Sequence, residues 1–189
     1  MAESKMNKVG YGQLEPNRLT AQTTKEVYDQ LPADSSLTVI ENGMALIYDQ
    51  VAQKVKAPSA KGKGLVGLVY NEIILEDERY QQDCDYAMMA KKETPYQVAI
   101  EAYPRIYGLH VGDTFTTNTV KIDDTHKNGS TPVTKGAKFV ADTDGYWVQT
   151  SDVSQAQVVA ECVKDYTLPD GQRALKLVIT GVDTAPVTE

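Results

Sequence analysis

The sequence predicts a mainly β protein: small β-barrel or sandwich units in a candidate duplication, with an extended N-terminal arm and one short helix. Three observations predict it. In Lys135 to Gln149, KGAKFVADTDGYWVQ, Ala137, Phe139 and Ala141 alternate with Lys138 and Val140 up to Asp144-Gly145, and a second run then carries the only tryptophan, Trp147. Alternation on either side of Asp-Gly marks a β-hairpin, with both turn residues expected at positive φ. A related stretch, NGMALIYDQVAQ from Asn42 to Gln53, stands 93 residues earlier: Gly43 falls on Gly136, Leu46 on Phe139, Asp49 on Asp142 and Val55 on Val148. The same offset continues without a gap to Leu65-Val66 on Val158-Val159. Repetition at a fixed offset is the mark of a duplicated structural unit. Finally, the apolar content is mostly Val, Ala and Tyr, with two Phe and one Trp, a composition that suits strands with tyrosines at their edges.

Taken in order, residues 1–36 read as an arm followed by the helix. MAESKMNKVGYGQLEP has no periodic apolar face, so the arm runs extended to about Pro16. Thr23-Thr24-Lys25-Glu26 has the spacing of a capping box, and Val27 and Leu31 share one helical face, which predicts two turns from Thr24 to Leu31 before Pro32. Residues 37–122 read as a first β lobe. LTVI and MALIYD are strands on either side of Glu41-Asn42-Gly43, APSAKGKG is a loop, and LVGLVY is a buried strand. Ala57 to Gly64 lacks the spacing of a phosphate-binding loop and no helix follows it. Tyr86 to Ala90 is open between helix and strand, Tyr96 to Ala102 alternates as a strand, and the threonines of GDTFTTNTVKI suit an exposed β surface. Residues 123–131, DDTHKNGST, form the loop or hinge, and 132–189 the second β unit. That unit holds the hairpin, a strand over 157–163, a turn at Leu168-Pro169-Asp170-Gly171 and a last strand, ALKLVIT.

Charge excludes some functions. Residues 1–64 carry 8 Lys/Arg against 7 Asp/Glu, and residues 65–189 carry 11 against 19. This balance argues against a nucleic-acid binder, which needs a basic stripe. The lysines at 54, 56, 61 and 63 are the nearest candidate and read better as solubilising charges on a loop or edge. Cys84 and Cys162 have no metal-type spacing and imply no disulfide framework. No apolar run is long enough to span a bilayer and no export signal is legible, so neither membrane nor secretion is expected.

Catalytic and metal readings find little to hold. His110 and His126 have no nucleophile or carboxylate at a suggestive spacing, and Asp83 and Asp85 raise the pKa of the Cys84 thiol between them. The acidic run over 72–85 matches no calcium loop, and Asp142-Thr143-Asp144-Gly145 lacks the glutamate that closes one. Catalytic residues, cofactors and metals are therefore expected to be absent. A carbohydrate-binding module is an alternative, with Trp147, Tyr146 and Tyr11 as stacking candidates, and a small hydrolase built around His110 is another.

The run GLVGLVYNEIILEDERYQQDCDYAMMA, then PRIYGLHVGDTFTTNTV, then KGAKFVADTDGYWVQ, together about a third of the chain, resembles structural proteins of tailed-bacteriophage particles. The likeness is greatest to the small auxiliary or decoration proteins of the capsid. It implies binding without turnover: a virion protein, assembled in the host cytoplasm, that sits on the lattice of major capsid protein as a homo-oligomer. It implies no direct contact with nucleic acid or membrane. A tail-tube or head-tail joining protein is the alternative within that class. Tyr11 and Leu14 on the arm and Trp147 on the hairpin are the residues expected to contact a partner.

Overall fold

The computed structural model describes residues 12–37, 39–58, 64–71, 103–122, 126, 131–168 and 171–182 with their side chains, and 4–5, 87–89 and 98–99 as backbone. In chain order the elements are β1 (Ser4–Lys5), β2 (Leu14–Arg18), α1 (Thr20–Thr24), β3 (Val27–Tyr28), β4 (Val39–Glu41), β5 (Ala45–Asp49), β6 (Lys54–Lys56), β7 (Leu65–Val69), β8 (Ala87–Met89), β9 (Val98–Ala99), β10 (Ile106–Gly108), β11 (Thr114–Thr117), β12 (Val120–Ile122), β13 (Lys138–Ala141), β14 (Trp147–Gln149), β15 (Val158–Thr167) and β16 (Arg173–Val182). The fold is mainly β, as the alternation predicts. One sheet has the order β1-β12-β14-β13-β15-β16-β11-β2, a second the order β3-β10-β7-β5-β6, and β4, β8 and β9 make a small third.

The two large sheets contain the same unit twice. In each, a first strand (β3 or β11) pairs antiparallel with the sixth (β10 or β16). The sixth pairs with the fifth (β7 or β15), and the fifth with the third (β5 or β13). The third pairs with the fourth (β6 or β14). A second segment then lies parallel to the fourth: Ala33 beside Val55 in unit 1, β12 beside β14 in unit 2. The 93-residue offset survives in the register, where Ala45 faces Leu68 and Ile47 faces Val66, as Lys138 faces Glu161 and Val140 faces Val159.

The glycine turns repeat bond for bond. Gly43 N–H donates to Val69 O at 2.9 Å and Gly136 N–H to Cys162 O at 2.8 Å. Val69 N–H returns to Met44 O, and Cys162 N–H to Ala137 O. Both glycines sit at positive φ, 90° and 80°, a region that costs other L-residues about 1–2 kcal/mol.

Unit 1 is sandwiched between two cores. Along β5, Ala45 and Ile47 join Val66, Leu68 and the unit 2 side chains Phe139 and Trp147 in the main core. Leu46 and Tyr48 turn the other way, toward Leu31, Val55 and Ile106. Burial on both faces is why MALIYD reads as a continuous apolar run and not as an alternation.

Several expectations need correction. The helix is Thr20–Thr24, and it stops where the capping box was to start it: Lys25 takes the left-handed conformation, φ 63°, and Val27-Tyr28 joins β10 as a strand. A β-branched and an aromatic residue gain more from a sheet partner than from one more helical turn. The hairpin exists, but Asp144 is not at positive φ. Asp142 N–H donates to Tyr146 O and Gly145 N–H to Asp142 O, which makes a three-residue loop with Gly145 alone at φ 88°. Unit 2 also begins before the loop at 123–131, because β11 and β12 pair with β16 and β14. Finally, Thr116, Thr117 and Thr119 are buried and not an exposed surface.

The segment at Tyr86 to Ala90 contributes strand β8. Residues 59–63, 72–86 and 123–125, including the acidic run and Cys84, lie outside the described residues.

Candidate functional site

The arm, the Gly43 turn and the unit 2 hairpin meet at one junction. The arm runs antiparallel along the segment 114–122, with Ser4 opposite Ile122 and Leu14 opposite Thr117. A register shift between Thr114 and Thr116 leaves Pro16 on the irregular stretch of an edge strand, a position that tolerates a missing N–H. Under the arm, Gly12 packs so closely that a Cβ there would lie 2.5 Å from Glu41 Cβ and 2.7 Å from Asn42 O.

Unit 2 grips the same turn from the other side. The Trp147 indole N–H donates to Gly43 O at 2.9 Å, Ala45 N–H donates to Gly145 O at 2.9 Å, and the Tyr146 hydroxyl donates to Glu41 Oε2. Glu41 and Trp147 are both fully buried. Thr117 and Thr119 share a hydroxyl hydrogen bond of 2.6 Å beside the Gly43 backbone.

Next to this junction the DTDG turn holds an ammonium group. Lys121 Nζ contacts Asp142 Oδ2 and lies 3.0 Å from Asp144 Oδ2, where a calcium-loop reading would put the cation. Burial works against the Lys121 charge, but the hydrogen bonds to Asp142 and Asp144 outweigh it and hold the lysine above its ordinary pKa. Asp142 Oδ1 meanwhile accepts the N–H groups of Asp144 and Tyr146, both at 2.9 Å, so one carboxylate sets both the turn and the clamp. Asp49 plays the matching part in unit 1, accepting Val51 and Ala52 N–H groups and pairing with Lys56 at 3.0 Å.

Several other titratable groups among the described residues are engaged in the same structural way. His110 Nε2 lies 3.0 Å from Glu26 Oε2, and the buried Asp113 accepts the N–H and hydroxyl of Thr20 and the N–H of His110. Glu26 and Asp113 are matched positions, since Gly108 N–H donates to Glu26 O as Ile179 N–H does to Asp113 O. Lys54 pairs with Asp34. Burial pushes the Cys162 thiol up to about 11, which suppresses the thiolate. Among the described residues no group of three His, Cys, Asp or Glu is placed to hold a metal ion, and no helix is long and apolar enough to cross a membrane.

Of the three residues expected to touch a partner, Leu14 lies half-buried on β2 against the main core, and Tyr11 is outside the described residues. Trp147 is corrected: at 0% exposure it faces the junction and cannot stack on a ligand. Tyr146, at 2%, is buried with it, so the carbohydrate-module alternative loses both its described aromatics. Glu41, Gly12 and Lys121 carry no local signal in the sequence, because their partners lie far away along the chain.

The paired carboxylates predict the acid limb of stability. Asp34 is lowered to about 2, first by the Ser36 N–H; Asp49 is lowered first by the Ala52 N–H. At Asp165 burial pulls upward, but Arg173 and the Val133 N–H hold the carboxylate below its usual range. Depressed carboxylates contribute stability that is complete above the unfolded value, about 3.9, and is lost as pH falls through the folded values. Urea midpoints are therefore expected to hold steady from neutral pH to about 5 and to fall below about 4, with a shallower acid limb in Asp34→Asn. An acid limb identical in that variant would contradict the assignment. No protein-family model, no curated protein and no solved structure matches the chain.

Proposed function

We propose that the protein is a non-enzymatic structural component of a tailed-bacteriophage particle, a capsid auxiliary protein that binds the major capsid lattice and stabilises the head. The observation that carries this reading is the use made of its polar groups. Lys121 with Asp142 and Asp144, and Arg173 with Asp165, each fasten one segment of unit 2 to another, and Tyr146 with Glu41 fastens unit 2 to unit 1. Side chains committed in this way serve rigidity, and a rigid body repeated over a closed shell gains from multivalent contact even when each copy buries modest area. The resemblance in GLVGLVYNEIILEDERYQQDCDYAMMA, PRIYGLHVGDTFTTNTV and KGAKFVADTDGYWVQ points to the same class.

Co-sedimentation tests it. Purified protein is expected to pellet, saturably, with expanded capsid shells that lack it. Tubes and connectors separated from the shells are the comparison, and binding there alone would move the protein to the tail. Failure to bind any virion component would overturn the proposal.

A further inference from the structure

We infer that the N-terminal arm is an exchangeable strand, and that the groove it occupies on unit 2 accepts the arm of a second copy of this chain. The inference stands apart from the capsid reading, because it concerns the purified chain alone.

The floor of the groove is polar. Thr116, Thr117, Asn118 and Thr119 are each 2% exposed or less. The arm is fastened to them by hydrogen bonds: Gln13 N–H to Asn118 Oδ1 at 2.7 Å, Thr117 hydroxyl to Gln13 O at 2.7 Å, and Thr116 hydroxyl to Asn17 Oδ1 at 2.9 Å. Among the described residues of the arm, Leu14 is the apolar contact with the main core, and it is only half-buried. Among the described residues, lifting the arm uncovers hydroxyls, an amide, the open edge of β11 and the Glu41-Asn42 stretch beneath Gly12, polar groups that water satisfies. The arm can therefore leave without unfolding what lies beneath.

The occupant follows from the fit. The side chains of Asn17 and Thr116, and the backbone of Gln13 with Asn118 and Thr117, define a groove for this segment and this register, so the same segment of another copy fits identically. Exchanging an identical element between protomers changes no bond and is a low-cost route to association. A pivot is present: Arg18 is exposed, whereas Leu19 is 3% exposed in the core and Thr20 is tied to Asp113. From that pivot Gly12 to Asn17 extend about 20 Å, so exchange brings the β11 edges of two copies side by side. The rest of the chain stays folded while the arm crosses.

Cysteine mixing tests the exchange. Leu14 and Thr117 are Cα partners in the ladder, so Leu14→Cys and Thr117→Cys, each carried by a different chain, can meet across the groove only if an arm crosses between copies. Mixed under mild oxidation, the two variants are expected to give a disulfide-linked dimer that neither gives alone. Absence of that dimer, while a chain carrying both substitutions closes its own disulfide, overturns the inference. Sedimentation of the unmodified chain decides independently of cysteine geometry. A concentration-dependent dimer is expected, and it should be lost in Gly12→Ala, whose Cβ would meet Glu41 and unseat the arm in either copy. A monomer at every concentration, or a dimer that survives Gly12→Ala, overturns it as well.

Discussion

Gly43→Ala is expected to destabilise the protein by about 3 kcal/mol or more, and Gly136→Ala, at the matched position of the other unit, by only about 1–2 kcal/mol. Both glycines are at positive φ and both turns make the same backbone hydrogen bonds, so the conformational cost of a Cβ is shared. The surroundings are not shared. A Cβ on Gly43 would lie 2.0 Å from Thr117 Oγ1 and 2.5 Å from Thr119 Oγ1, whereas nothing lies within 4 Å of one on Gly136. The difference between the two variants therefore measures the packing of one unit against the other, with the turn itself subtracted. In thermal melts the gap is expected to be several degrees, since about 1 kcal/mol shifts a domain of this size by about 2–4 °C. Equal losses in the two variants would mean that the Gly43 turn is not pinned by unit 2.

How much of this was legible in the sequence depends on the range of the interactions. The repeat was legible because its signals are local. Gly43 and Gly136 are where a turn needs positive φ, Asp49 and Asp142 each cap the turn that follows, and between them β5 is a continuous buried run and β13 carries Phe139, Val140 and Ala141. The helix boundary failed because Thr23 to Glu26 offers a local cap that β10 outcompetes through a strand pairing some eighty residues away. The start of unit 2 failed for the same reason: Thr114 to Ile122 is neighbour in space to β16 and β14, and the loop at 123–131 only looked like a boundary.

The junction was the least legible part, and physically it had to be. A glutamate inside a β-rich stretch reads as a solvated charge until the tyrosine 105 positions later is brought over it. The threonines of TFTTNT read as surface because threonine suits an exposed strand, and only the arm and the Gly43 turn laid across them make them interior.

Trp147→Ala is expected to cost about 3–5 kcal/mol, the range for emptying a fully buried aromatic site. Trp147→Phe separates the two parts of that cost. Phenylalanine keeps most of the packing against Phe115, whose ring centroid is 5.5 Å away, but leaves the buried Gly43 carbonyl without the indole donor. An unmet buried acceptor costs about 1–3 kcal/mol, so the phenylalanine variant should fall between wild type and alanine. Because Trp147 is the only tryptophan, its emission reports the junction directly. In the folded protein it is expected to be blue-shifted and shielded from acrylamide, and its unfolding curve to coincide with the loss of β circular dichroism. Coincidence is the informative result: a residue of unit 2 bonded to the turn of unit 1 can change environment together with the sheets only if the two units unfold as one. A tryptophan signal that is lost well before the circular dichroism would show instead that the junction opens while the units remain folded.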